Sequence, residues 1–181
     1  LESGRVSYEN RWVRTTKWKL ENEAGESLFS PLNPMQNDPS VANVKTDGIA
    51  NTNIVWHGGK LLALVESHAP FEIDPESLNS IGPWTFQDKL SGPMTAHPKI
   101  DPESGEMLFF AYNADPENRV SSRMAFHKAD KHGNLIQSEF FNAPYSAMVH
   151  DFIVTKEHVI FPIMPLTSSM ERAMGGGSLY A

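Results

Sequence analysis

Gly59-Lys-Leu-Leu-Ala-Leu-Val-Glu66, Gly105-Glu-Met-Leu-Phe-Phe-Ala-Tyr112 and Glu157-His-Val-Ile-Phe-Pro-Ile-Met164 are three versions of one pattern, an apolar run short enough to be a buried strand. Their starts are 46 and 52 residues apart. A period of about 40 to 50 residues is what propeller blades produce. Each run is preceded, across a turn, by another β-like stretch: Thr52 to Trp56, Thr95 to Ile100 and Val149 to Val154. Each unit therefore reads as a hairpin followed by further strands. The expected fold is all-β, about three blades of a β-propeller, with 1–181 as a single incomplete domain.

Outside the repeats, two short helices are expected. Thr15 caps Thr16 to Ala24 with Gly25 as the stop, and Ser168 with Glu171 forms a capping box for a turn or two before Gly175. Gly25 to Asp47, with Pro31, Pro34 and Pro39 among Asn, Asp and Ser, reads as a long irregular connection. The opening LESGRVSYEN has no initiator Met and no basic-then-apolar signal, and GGGSLYA closes without a cap, so both ends read as cut.

Composition narrows the function. With 181 residues, 40% hydrophobic and 20% charged, the chain has enough apolar content for a core. Its longest apolar runs fall far short of the roughly 20 residues a spanning helix needs, so no transmembrane segment is expected. A net charge of −7 and scattered Lys and Arg argue against nucleic acid. The absence of cysteine excludes disulfides, thiolate zinc sites, iron–sulfur clusters and Cys nucleophiles, leaving His and carboxylates for any transition metal. No targeting signal is visible, and the cytoplasm is the default compartment. No nucleophile elbow, Walker loop or dinucleotide fingerprint is present.

Seven histidines remain to be placed. His57, His68 and His132 lie in turns or after strands, and His127 and His158 on or beside alternating strands, half-exposed; all five read as structural. His97 and His150 differ, because they lie eight and seven residues before the second strand of successive repeats. First strands of propeller blades line the central channel, so these imidazoles converge on one axis. Neutral imidazole suits iron, copper, nickel or zinc, although structural histidines remain the alternative. The corresponding residue of the first repeat is Thr52, which offers a hydroxyl. Glu66 ends an apolar strand, where it either sits in water or accepts the free N–H of a ligating histidine.

The segments Gly92-Pro-Met-Thr-Ala-His-Pro-Lys-Ile-Asp-Pro-Glu-Ser-Gly-Glu106 and Met148-Val-His-Asp-Phe152 resemble the carotenoid cleavage oxygenase family, which includes stilbene-cleaving dioxygenases. Ala50-Asn-Thr-Asn53, Leu61-Leu-Ala-Leu-Val-Glu66 and Phe161-Pro-Ile-Met-Pro-Leu166 support the resemblance, which covers nearly the whole chain. It implies a seven-bladed propeller with Fe(II) on its axis, held by four histidines of which three are backed by glutamates. By position His97 and His150 look like two of the ligands, Glu66 like a backing glutamate, and Thr52 like a threonine crowding a position beside the iron. The family chain is more than twice this length, so this chain is expected to be a fragment without a complete site.

The implied reaction is cleavage of a conjugated double bond by O₂ into two carbonyl products, in the full-length parent. Stilbene-cleaving members place a Lys before the backing Glu, where Val65 stands here. A carotenoid or apocarotenoid polyene is therefore the expected substrate, with a stilbene as the alternative. Peripheral membrane contact through segments outside this chain is a further expectation. A non-catalytic propeller scaffold is the competing class.

Overall fold

The computed structural model describes residue 4 and residues 6–31, 33–118 and 120–181; the opening decapeptide thus falls partly outside the described residues. Strands β1 (Asn53–His57), β2 (Lys60–Leu64), β3 (Phe71–Ile73) and β4 (Ser80–Pro83) form one antiparallel sheet in sequential order. Strands β5 (Lys99–Ile100), β6 (Met107–Ala111), β7 (Arg123–Ala129) and β8 (Leu135–Asn142) form a second, and β9 (Ile153–Val154) pairs with β10 (Val159–Ile160). These are two meander sheets and a hairpin, the arrangement of successive blades.

The three quoted runs become β2, β6 and β10. Alternation explains why β6 reads as a continuous apolar run. Met107 and Phe109 pack toward the first sheet, with Leu62, Leu64 and Phe86. Leu108 and Phe110 pack the other way, with Val149, Phe152 and Phe161. A strand with both faces covered needs apolar residues at every position. The two cores lie between successive sheets and fix their separation.

Blade edges are stitched at the turns. Gly58 and Gly133 meet so closely that a Cβ on Gly58 would stand 2.6 Å from the Gly133 Cα. Ring nitrogen Nε2 of His57 lies 3.1 Å from the Gly105 carbonyl oxygen. The two Asp-Pro-Glu-Ser turns are closed alike: Asp74 accepts from the Ser77 N–H and Asp101 from the Ser104 N–H.

Helix α1 spans Thr16–Ala24, with the Thr15 hydroxyl accepting from the Trp18 N–H and Gly25 left-handed at φ 73°. Helix α2 (Met170–Met174) is capped by Ser169, whose side chain accepts from the Arg172 N–H. The expected cap, Ser168, instead pairs with Tyr180 in an isolated bridge and contacts the Ser146 hydroxyl. The connection from Gly25 to Asp47 is irregular apart from two 3₁₀ turns. Among the described residues no helix is long and apolar enough to cross a membrane.

Candidate metal centre

His97 and His150 precede strands of different sheets, β5 and β9, 53 residues apart, and their rings meet. Their Nε2 atoms are 3.0 Å apart, with ring centroids 4.6 Å apart and planes inclined at 65°. Each is held by its own neighbours. Pro98 restricts His97 to extended backbone, the Thr95 hydroxyl accepts from the His97 N–H at 3.1 Å, and the Asn53 side-chain amide donates to the Ala96 carbonyl at 2.9 Å. His150 follows the buried Val149 and precedes Asp151 and the buried Phe152. Asp151 accepts from the Phe152 N–H at 2.7 Å and from Lys99 Nζ at 2.8 Å. Burial raises the Asp151 pKa, but Lys99 and that N–H outweigh it and hold the carboxyl below its usual range. The Lys99–Asp151 pair clamps together the segments that carry the two imidazoles.

Glu66 reaches His150 from the first sheet, its Oε1 lying 3.1 Å from Nδ1. A carboxylate only accepts, so the proton of this contact lies on His150 Nδ1. Glu66 is the less accessible partner, 19% exposed against 60% for the His150 side chain. Its second oxygen, Oε2, is buried and has no hydrogen-bond partner among the described residues.

The two imidazoles would suit a divalent transition metal, for which imidazole nitrogen is a common ligand. Among the described residues no group of three or more His, Cys, Asp or Glu comes together as a metal site. Among the described residues the cluster consists of His97, His150 and Glu66.

Thr52 is exposed, and among the described residues its hydrogen bonds go to neither imidazole. Its hydroxyl is 3.2 Å from Asn51 Oδ1, and its N–H donates to the Leu64 carbonyl at 3.0 Å. The Thr95 N–H makes the matching bond to Phe110, at 2.7 Å. Leu64 and Phe110 hold the same place in the repeat, so the ladder aligns Thr52 with Thr95 and corrects the expected match of Thr52 to His97, which lies two residues farther on. Asn53, next to Thr52, makes the contact with the His97 segment.

The other histidines lie elsewhere. His127 was expected to be half-exposed and is buried at 4%, stacked on Phe109 and paired with the Ser138 hydroxyl at 2.8 Å. Desolvation lowers its pKa to about 4. Sequence reasoning missed Asn53, Lys99 and Asp151, since contacts between distant segments leave no periodic trace.

A profile of the family described as retinal pigment epithelial membrane protein matches residues 1–181. The isoeugenol monooxygenase of Pseudomonas putida is 40% identical over 182 residues, covering 99% of this chain and 37% of that protein. The crystal structure of Pseudomonas brassicacearum lignostilbene dioxygenase superimposes with a TM-score of 0.87 at 37% identity, over 94% of this chain and 35% of the other. Cobalt-substituted apocarotenoid oxygenase from Synechocystis gives a TM-score of 0.77 at 27% identity, over 93% and 38%. This chain thus spans little more than a third of the length of these relatives.

Proposed function

Because the chain belongs to the retinal pigment epithelial membrane protein, or carotenoid cleavage oxygenase, family, we propose that the protein carrying these residues is an iron(II)-dependent dioxygenase that cleaves a conjugated carbon–carbon double bond. The observation that carries the reading is the convergence of the His97 and His150 Nε2 atoms at 3.0 Å, with Glu66 on the far nitrogen of His150. A relative that accepts cobalt supports a transition-metal site. The chain is assigned as about three blades of a longer propeller, whose other blades supply the remaining ligands.

His97 and His150 would hold the ion, which when bound supplies the redox chemistry toward O₂ that organic side chains lack. Glu66 keeps the His150 proton on Nδ1 and fixes the ring. Thr52 is assigned the hydroxyl that narrows access beside the histidines. No protein nucleophile is needed, because one alkene and one O₂ account for every atom of two carbonyl products. The chain's contribution is to orient the imidazoles and help shape the channel.

The substrate assigned is an aryl-substituted alkene, a propenylphenol or a stilbene. Support comes from the 40% identity to the isoeugenol enzyme and the TM-score of 0.87 to the lignostilbene enzyme. Val65 favours a second reading, a carotenoid or apocarotenoid polyene. It is buried, and its Cγ1 would stand 2.9 Å from a Cβ on Gly48, so it offers no cation to a phenol oxygen. The test is to incubate the whole protein with isoeugenol, a hydroxystilbene and an apocarotenal, in air and under argon. Oxygen-dependent aldehyde from an aryl alkene is expected. Aldehyde from the apocarotenal alone selects the second reading, and no product from any substrate contradicts the oxygenase assignment.

A further inference from the structure

Tyr112 occupies in the second repeat the place that Glu66 occupies in the first, the residue just past the apolar run. It is buried at 8%, in the cluster containing Val149, the neighbour of His150, with Tyr180 packed against that cluster. The Tyr180 hydroxyl accepts from the Asn113 side-chain amide at 2.9 Å, and Asn113 Oδ1 accepts from the Ser121 N–H at 3.1 Å. Tyr180 is itself fixed by its bridge to Ser168. Glu66 Oε1 meets His150, Tyr112 shares a core cluster with the neighbouring Val149, and the buried Glu66 Oε2 has no hydrogen-bond partner among the described residues.

We propose that the Tyr112 hydroxyl is a positioning donor for Glu66 Oε2, and through Glu66 for His150, with Tyr180 and Asn113 holding the phenol in place. A buried carboxylate oxygen left without a donor costs about 1–3 kcal/mol or more, and the repeat brings Tyr112 to the same end of the sheets. Burial, then the neighbouring Tyr180 and the Glu66 charge, push the Tyr112 pKa far up. The phenol accordingly keeps its proton and remains a donor at neutral pH. The proposed relay would run from Asn113 through Tyr180, Tyr112 and Glu66 to His150, its two ends being the Asn113–Tyr180 and Glu66–His150 contacts. The first of these residues touches no ligand, and the last presents Nε2.

This inference rests on the metal reading above, and cobalt(II) titration of the metal-free whole protein separates the two. Wild type is expected to bind cobalt with ligand-field bands that His97→Ala abolishes. Tyr112→Phe is expected to weaken cobalt binding about 10-fold, the lower end for loss of a supporting partner, and to shift those bands. In a Glu66→Gln background the same change should have little further effect. Tyr180→Phe, which keeps the donor and loosens its anchor, should give a smaller shift in the same direction and serves if Tyr112→Phe fails to fold. A folded Tyr112→Phe protein with wild-type affinity and bands overturns the inference while leaving the metal reading intact, as do effects fully additive with Glu66→Gln. A wild-type protein that binds no cobalt removes the metal reading and the inference with it.

Discussion

His150 has more than half of its side chain open to solvent, yet its Nδ1 is engaged by a largely buried carboxylate. The side of the ring that meets Glu66 is the one facing the protein, and Nε2 on the other side meets His97 Nε2 at 3.0 Å. Glu66→Gln keeps an acceptor at that distance but removes its charge. Metal affinity of the whole protein should fall about 10- to 100-fold, read by cobalt titration, with little change in melting temperature. His127 gives a pH prediction unrelated to metal. Its folded pKa, about 4, lies below the ordinary value of 6.5, so between those values the unfolded chain binds the extra proton. Stability is complete above pH 6.5 and is lost as pH falls toward 4, by on the order of 3 kcal/mol at most. Melting curves from pH 7 to 4 should show this loss in wild type and a smaller one in His127→Phe. At this scale the sequence pointed to His97 and His150 by their offset and to Glu66 by its place after an apolar run, and the structure brings these three side chains into contact. It was silent on the Lys99–Asp151 clamp and on Asn53, because each joins residues from separate units.

The strands are shorter than the β-like stretches in the sequence, and proline accounts for part of the difference. Thr95 to Ile100 reads as a strand, yet only Lys99–Ile100 forms a ladder. Pro98 has no N–H to donate, and the Thr95 N–H bonds Phe110 out of step with that ladder. In the third unit Pro162 interrupts the run after β10 in the same way. The short β5 and β9 leave His97 and His150 on irregular backbone ahead of each strand, where their rings are free to turn toward each other. The first hairpin is set by Gly58 at φ 58°, close against Gly133. Gly58→Ala adds a methyl where backbone already stands and should cost roughly 1–3 kcal/mol, measured by denaturant unfolding. Phe109 is fully buried in β6, stacked between Phe86 and His127. Phe109→Ala should cost about 3–5 kcal/mol, which in a domain of this size is a large share of the total.

Across the whole molecule, the two cores lie between successive sheets, so each unit is completed by the next. The third hairpin has Ile153, Ile160 and Met164 at 54%, 48% and 58% exposure, the apolar surface that a further blade would cover. The 181-residue segment alone should bind divalent metal far more weakly than the whole protein, because two imidazoles do the work that a fuller set would share; parallel cobalt titrations would show it. The repeat made the architecture legible from sequence, since periodicity survives without any knowledge of contacts. The choice of substrate was not legible, since Val65 is a single buried side chain that excludes a cation at its own position and specifies nothing else. The measurement that bears most directly on all of this is the iron content of the purified whole protein, alongside His97→Ala and His150→Ala. One iron per wild-type chain, with little or none in either folded variant, is the expected result. Folded wild-type protein that neither contains nor takes up iron, or variants that retain it in full, would contradict the assignment of these two histidines.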